Sequence, residues 1–256
     1  KGLKTLFMGH ELKFYKEIDS TNTTLKRLAS EGASEGTVVV ADCQNAGRGR
    51  LGRSWISAPG KVIWMSVLLR PALRPSDVQT LTLAASVAVC RALESFKIPG
   101  IGIKWPNDIL IDGKKVCGIL AELSAEAERV TWVIIGIGLN VNHMTGDFPP
   151  ELSTTATSLR LGLDSNNPLD RSSLASGIIN RLEEVYEFYL EEGSAWVAGE
   201  WKKWNLTLGK RVYLTFRNER INALAYDIRP DGRLIVKKDD GTSLEVFSGE
   251  VSLRDA

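Results

Sequence analysis

Three arginines and three glycines alternate within Gly47-Arg48-Gly49-Arg50-Leu51-Gly52-Arg53. Glycine admits positive-φ turns and close approach of the backbone, and arginine carries a permanently charged donor fork that suits carboxylate and phosphate. Such a loop can wrap an anion. Val38-Val39-Val40-Ala41 before it reads as a buried strand, and Ser54-Trp55-Ile56-Ser57 after it returns to strand-forming residues, so the loop is held at both ends. From these residues alone, a solvated basic loop or an Arg/Gly-rich RNA-binding segment remains open.

Two further groups carry possible chemistry. In Lys104-Trp105-Pro106-Asn107-Asp108, proline removes a ladder donor amid strand-forming residues and forces a bend where lysine, asparagine and aspartate gather. Asp108 could orient an incoming amine there, or simply satisfy its own backbone in an irregular turn. Beyond the Asp112-Gly113 turn, strict alternation predicts Lys115 and Cys117 on one strand face, Gly118 on the other, and Lys114 in solvent. In Gly136-Ile137-Gly138-Leu139-Asn140-Val141-Asn142 the even-numbered residues share a face of two glycines and two asparagines. That bare face suits a flat ligand or a second backbone, with Ile137, Leu139 and Val141 in the core behind; a β-bulge or helix-on-sheet contact is the competing account. Neither His10 nor His143 lies in a nucleophile-like motif.

Composition narrows the class. Against 31 acidic residues stand 32 Lys and Arg, a net charge of +1, so the basic loop is a local device and general DNA or RNA binding is disfavoured. Cys43, Cys90 and Cys117 are odd in number, widely spaced and in apolar surroundings, which fits reduced core thiols and no metal cage. No apolar run approaches the roughly 20 residues of a membrane span. Lys1-Gly2-Leu3-Lys4 lacks the apolar region of a signal peptide, so the cytoplasm is expected. The first residue is not methionine, which leaves an upstream segment open.

Positioning these groups requires an α+β chain. Leu12 to Ile18 reads as a strand, and Asp19-Ser20-Thr21-Asn22 offers capping side chains to a short helix that Gly32 ends. Val62 to Leu69 is a buried strand, and Asp77 to Phe96 a helix apolar around most of its circumference. Segments 101–105, 109–111, 116–123 and 130–141 form an antiparallel meander. Leu174, Ile178, Leu182, Val185 and Tyr189 repeat at helical spacing after Asp170, and a further helix from Ser194 carries Trp196, Trp201 and Trp204, expected as packing residues against a neighbouring domain. From Gly209, four short strands separated by Asp231-Gly232 and Asp240-Gly241 turns predict a small β-barrel.

In chain order, Asp19 to Asn22, Gln44 with Gly47 to Arg53 and Trp55, Lys104 to Asp108, Lys115-Val116-Cys117-Gly118-Ile119-Leu120-Ala121-Glu122, and Gly136 to Asn140 closely resemble the biotin protein ligase family. The match spans most of the first 142 residues, and the β-rich tail is similar to the family's SH3-like C-terminal domain. The resemblance implies a mixed, largely antiparallel sheet packed with helices, of the class II aminoacyl-tRNA-synthetase-like, biotin–lipoyl ligase type. It implies a catalytic domain over 1–207 and an SH3-like barrel over 208–256. The implied enzyme joins biotin to ATP with magnesium, forms biotinyl-5′-AMP, and transfers biotin to a lysine of a biotin carboxyl carrier domain.

Carried over by position, Ser20, Thr21, Asn22, Gln44, Gly47, Gly118, Gly136 and Gly138 would surround biotin. Arg48, Arg50 and Lys115 would meet its carboxylate and the phosphoryl oxygens; Arg53, Trp55 and Asn140 would serve the nucleotide; and Asp108 would orient the acceptor lysine. No protein-held metal is expected. Leu51 stands where many members have a basic residue, with the flanking arginines retained. A homodimer through sheet edges is a family-based expectation. A lipoate ligase or octanoyltransferase is the rival within the fold, although no run of three glycines follows a basic pair. A nucleic-acid module is disfavoured by charge. A ligase that doubles as a repressor is a further alternative: Lys1 to Met8 is too short to hold an N-terminal helix-turn-helix but resembles the segment that follows one, so that domain would lie outside this sequence.

Overall fold

A computed structural model describes residues 2–53, 55, 58–216, 219–247 and 250–253. Its main sheet holds β1 (Leu12–Ile18), β2 (Val38–Gln44), β3 (Val62–Leu69), β4 (Ile101–Lys104), β5 (Asp108–Ile111), β6 (Lys114–Glu126) and β7 (Arg129–Asn140), in the spatial order β1-β2-β3-β7-β6-β5-β4. Only β1 and β2 run parallel; every other neighbouring pair is antiparallel, as the meander required. Between β5 and β6, Asp112 and Gly113 both take positive φ, the geometry of a two-residue hairpin turn.

Side-chain alternation decides what each face does. On β3, Ile63, Met65, Val67 and Leu69 enter the large core, and on β7 Val133, Ile135, Ile137 and Leu139 join them. That face is covered by α2 (Val78–Ser95), α4 (Arg171–Glu192) and α5 (Ser194–Lys203), after a single turn of α3 (Leu159–Gly162). The opposite face is covered only in part. Helix α1 (Thr21–Ser30) packs Leu25 and Ala29 on Val39, Leu68 and Ile134, while the stretch carrying Trp64, Gly136 and Gly138 is left under a cavity.

A second sheet follows, with β8 (Arg211–Phe216), β9 (Glu219–Ile228), β10 (Leu234–Lys237), β11 (Ser243–Val246) and β12 (Glu250–Leu253), all antiparallel in the order β11-β10-β9-β8-β12. It has one strand more than the four expected: Glu250-Val251-Ser252-Leu253 alternates as a strand should, but it is only four residues long and lies beyond the last turn marked in the sequence. Trp105 ties the two sheets together: its indole N–H donates to the Gly232 carbonyl at 3.0 Å and its backbone N–H to Thr207 Oγ1 at 2.8 Å. The tryptophan expectation needs correcting in its partner: Trp201 is fully buried, but Trp196 stacks on Phe188 of α4 and beneath Arg91 of α2, within the helical layer. The expected strand residues at 54, 56 and 57 lie outside the described residues.

Glu183 on α4 is buried, and its carboxylate accepts three successive backbone N–H groups, from Leu6 at 2.5 Å, Phe7 at 3.0 Å and Met8 at 2.7 Å. An acceptor serving three donors anchors the N-terminal segment to the core. Glu183→Ala strands those donors, and we expect a loss of roughly 3 kcal/mol, from hydrogen bonds to a charged group worth about 1.5–3 kcal/mol. Urea unfolding measures it; an unchanged midpoint would mean the clamp contributes nothing.

Candidate active site

The cavity, about 710 Å³, opens over the bare stretch of the sheet. Strand registry explains the hollow: Gly118 on β6 pairs with Gly138 on β7, and Ser66 on β3 pairs with Gly136, so four adjacent positions carry almost no side chain. Trp55 lies in this hollow. A Cβ on Gly118 would overlap its ring, and one on Gly138 would press on Trp64 and touch Trp55. The two tryptophans meet edge to face, with centroids 6.1 Å apart.

One end of the cavity is polar and uncharged. Ser20 caps α1, accepting from Thr23 N–H at 3.4 Å, and this turns Thr21 and Asn22 into the cavity. Gln44, at the end of β2, accepts from the Thr21 backbone at 2.6 Å and lies 3.0 Å from its hydroxyl. Ser66 Oγ is 2.7 Å from Thr21 Oγ1 and 2.6 Å from Asn22 Oδ1. Gly136 is glycine for a reason alternation did not reveal: a Cβ there would overlap Asn22 Oδ1, so the close approach it permits is first that of Asn22.

The other end is charged. Lys115 Nζ pairs with Asp108 at 2.6 Å and sits 4.8 Å from the Trp55 ring centroid. Strict alternation misplaced Lys115. Ile109 pairs with Cys117 but Leu110 with Lys115, so Val116 is an extra residue in β6. Val116 and Cys117 are therefore both buried, and Lys115 returns to the face of Gly118, with its Cε close to where a Gly118 Cβ would lie. A bulge re-aims a side chain in this manner. Lys114 is exposed as expected.

Arg50 Nη1 donates to Asn107 Oδ1 at 3.0 Å, and Asn107 in turn donates to the Ile119 carbonyl at 2.9 Å, which pins the arginine loop to the sheet. Arg48, Arg50 and Arg53 all line the cavity. Gly47 does not: a Cβ there would overlap the Trp55 carbonyl, so it shapes the loop and forms none of the wall. Asn140 is buried on the wall and donates to the Thr157 carbonyl at 3.0 Å.

Beyond Asn140, His143 stacks on Phe148 with centroids 4.7 Å apart and closes the far wall with Pro149 and Leu152. Burial pushes the His143 pKa down, leaving a neutral ring at physiological pH. No spacing in the sequence marks this pair, since the contact forms only once 3₁₀ turns fold the 145–152 segment back. Burial raises the pKa of Cys90 and Cys117, keeping both as thiols, and all three cysteines are unpaired. Among the described residues no group of three or more His, Cys, Asp or Glu is placed to hold a metal ion.

The fold thus joins a mixed seven-stranded sheet to a cavity that is neutral and polar at one end and carries Lys115, Asp108 and three arginines at the other. The Biotin/lipoate A/B protein ligase family matches residues 14–140, and the Biotin protein ligase C terminal domain matches 207–254. The "Bifunctional ligase/repressor BirA" of Bacillus spizizenii is 41% identical over 252 residues, covering 98% of this chain and 77% of that protein. The "Biotin--[acetyl-CoA-carboxylase] ligase" of Mycobacterium tuberculosis is 34% identical, covering 94% of this chain and 88% of its own length. A solved biotin protein ligase of Aquifex aeolicus, in complex with biotin and ATP, superposes with a TM-score of 0.80 at 32% identity, covering 96% of this chain and all of that one. The chain belongs to the biotin protein ligase family.

Proposed function

We infer that the protein is an ATP-dependent biotin protein ligase that attaches biotin to a lysine of a biotin carboxyl carrier domain. The observation that carries this is the gradient along one cavity, from buried neutral donors and acceptors at Thr21 and Gln44 to Lys115, Arg48 and Arg50 at the other end. Such a gradient fits a ligand with an uncharged polar ring and a distal carboxylate. In the first step a carboxylate oxygen of biotin attacks the α-phosphorus of ATP, the P–O bond to pyrophosphate breaks, and biotinyl-5′-AMP forms. In the second the acceptor amine attacks the acyl carbon, AMP leaves, and the amine gives up a proton.

In this proposal Ser20, Thr21, Asn22 and Gln44 surround the biotin ring over the Gly118, Gly136 and Gly138 floor. Lys115, Arg48 and Arg50 neutralise charge that builds on carboxylate and phosphoryl oxygens, while Arg53, Trp55 and Asn140 face the nucleotide. Trp55 lies over Gly118 and Gly138, while Gly136 faces Asn22. Magnesium would arrive on the ATP phosphates, with Asp108 the nearest carboxylate to Lys115; an ion carried by phosphates needs only one or two protein carboxylates. The proposal takes 1–207 as the catalytic unit and 208–256 as the barrel, and places the enzyme in the cytoplasm; no helix among the described residues is long and apolar enough to cross a membrane.

Incubation with magnesium, ATP, labelled biotin and a carrier domain, beside the same mixture with lipoate, tests the assignment; label transfer from lipoate and not from biotin would overturn it. Asp108→Asn should slow transfer from preformed adenylate roughly ten- to a hundredfold, because an amide is neither a base nor a charged acceptor for the amine. It also releases Lys115 from its 2.6 Å ion pair. Single-turnover transfer reads the effect, and a defect confined to pyrophosphate exchange would move Asp108 to the first step.

A further inference from the structure

Behind the polar end of the cavity runs a chain of buried hydrogen bonds whose direction is set outside the cavity. Asn22 Nδ2 lies 2.7 Å from Glu122 Oε2 and 3.5 Å from the Leu120 carbonyl. Both are acceptors only, so the amide nitrogen must face them and Oδ1 must face Ser66. Ser66 is fully buried and has one proton. With Oδ1 at 2.6 Å unable to donate, that proton goes to Asn22, and Ser66 Oγ can only accept at its other contact, Thr21 Oγ1 at 2.7 Å. The Thr21 hydroxyl proton is thus used inside the protein, toward Ser66 or toward Gln44 Oε1 at 3.0 Å. What Thr21 offers the cavity is a lone pair.

Gln44 is polarised in the same way. Its Oε1 accepts from the Thr21 backbone N–H at 2.6 Å, a donor that cannot reverse, so its Nε2 is the end free to donate. The cavity therefore presents an acceptor at Thr21 beside a donor at Gln44. A cyclic urea, with N–H beside C=O, answers both; an ester, a disulfide ring or an alkyl chain does not. At the far end, Glu122 is held by an ion pair with Lys26 on α1, which fixes the carboxylate facing Asn22.

We propose that Glu122, held by Lys26, is a specificity-determining positioning residue: through Asn22 and Ser66 it makes the Thr21 hydroxyl an acceptor and thereby selects a ligand with an N–H at that point. The proposal rests on the assignment of the neutral end to the biotin ring. Glu122 touches no ligand in this account. Its carboxylate is the side chain of the relay that cannot exchange donor for acceptor, and at 2.7 Å it holds Asn22 more closely than the Leu120 carbonyl at 3.5 Å; Asn22, Ser66 and Thr21 can each reverse. In Glu122→Gln the new amide could offer N–H to Asn22, and reversal would pass along the chain until Ser66 donates to Thr21, which leaves the Thr21 proton to divide between Gln44 Oε1, already accepting the Thr21 backbone N–H, and the cavity.

The test compares biotin with its two cyclic carbamate analogues, in which one or the other ureido N–H is replaced by oxygen, by calorimetry on the full chain. The wild-type protein should bind biotin at least roughly tenfold better than the analogue lacking the N–H that faces Thr21, the scale of one buried hydrogen bond. In Glu122→Gln that ratio should collapse to within a few-fold, through weaker biotin binding, while the ATP affinity stays within a few-fold of wild type. Ser66→Ala, which cuts the chain without touching the ion pair, leaves Gln44 Oε1 as the one internal acceptor named for the Thr21 hydroxyl and should lower the ratio in the same direction; it serves if the Glu122→Gln variant does not fold. Lys26→Met, which retains the carboxylate, should keep most of the discrimination. A wild-type ratio in folded Glu122→Gln or Ser66→Ala would overturn the proposal. Thr21→Val separates the two levels: if it weakens biotin binding while Glu122→Gln does not, the relay fails and the site assignment stands, and if it leaves biotin binding untouched, the site assignment falls as well.

Discussion

Lys115→Ala is expected to lower biotin-dependent pyrophosphate exchange by roughly a hundred- to a thousandfold, the scale of losing one preorganised donor from a transition state. The weight given to Lys115 comes from its placement: the bulge at Val116 turns it onto the Gly118 face, where it meets Asp108 at 2.6 Å and the Trp55 ring at 4.8 Å. A cation held between a carboxylate and an aromatic face is already oriented when substrate arrives, so no reorganisation is required as charge develops on the phosphoryl oxygens. The fold should survive. The side chains of Lys115 and Asp108 are 35% and 21% exposed, and a pair this open to water contributes about 1 kcal/mol at most. Lys115→Arg should restore little, because a planar fork cannot replace a point charge in the same space. Arg48→Ala should act in the same direction. Exchange within a few-fold of wild type in the alanine variant would remove Lys115 from the reaction.

Gly136→Val should weaken biotin binding by roughly a hundredfold while nucleotide binding changes little. The first effect of the new side chain is on the protein. Its Cβ would occupy the position of Asn22 Oδ1, and Asn22 is held from both sides by Ser66 and Glu122. Neither neighbour can follow easily, since Ser66 is fully buried on β3 and Glu122 is paired to Lys26. Asn22 must leave, and Thr21, the next residue on the same helix turn, loses its alignment with Gln44. Two buried hydrogen bonds at about 1–1.5 kcal/mol each correspond to that loss of affinity. Overpacking beside a central strand also costs typically 1–3 kcal/mol of stability, so calorimetry has to be paired with a melting curve. A folded variant with unchanged biotin affinity would place the ligand away from Asn22.

Most of the architecture was legible from local signals. The caps at Ser20 and Asp170, the Asp112-Gly113 hairpin turn and the apolar periodicity of α2 and α4 are short-range features, and each produced the element expected. The site was legible as a set of residues for a related reason: glycines on a strand and arginines among glycines are costly choices that packing alone does not explain. What stayed hidden depended on contacts between distant segments. Gly47, which the resemblance places around biotin, packs against the Trp55 carbonyl outside the cavity lining, and His143 is part of the wall through its stacking on Phe148.

The residue types and their order thus decided that there would be a mixed sheet with a bare glycine face, an arginine loop beside it and a lysine on the adjoining strand. Tertiary structure decided which way those side chains point. Alternation is a property of one strand, whereas the bulge at Val116 exists only against the register of β5, and that single extra residue carries Lys115 into the cavity. Likewise, Thr21 and Gln44 are each ambiguous as donor or acceptor in an isolated chain. The Thr21 backbone N–H orients Gln44, and the hydrogen bond from Asn22 to Glu122, 100 residues away, orients Asn22, because a buried proton must go where an acceptor is waiting.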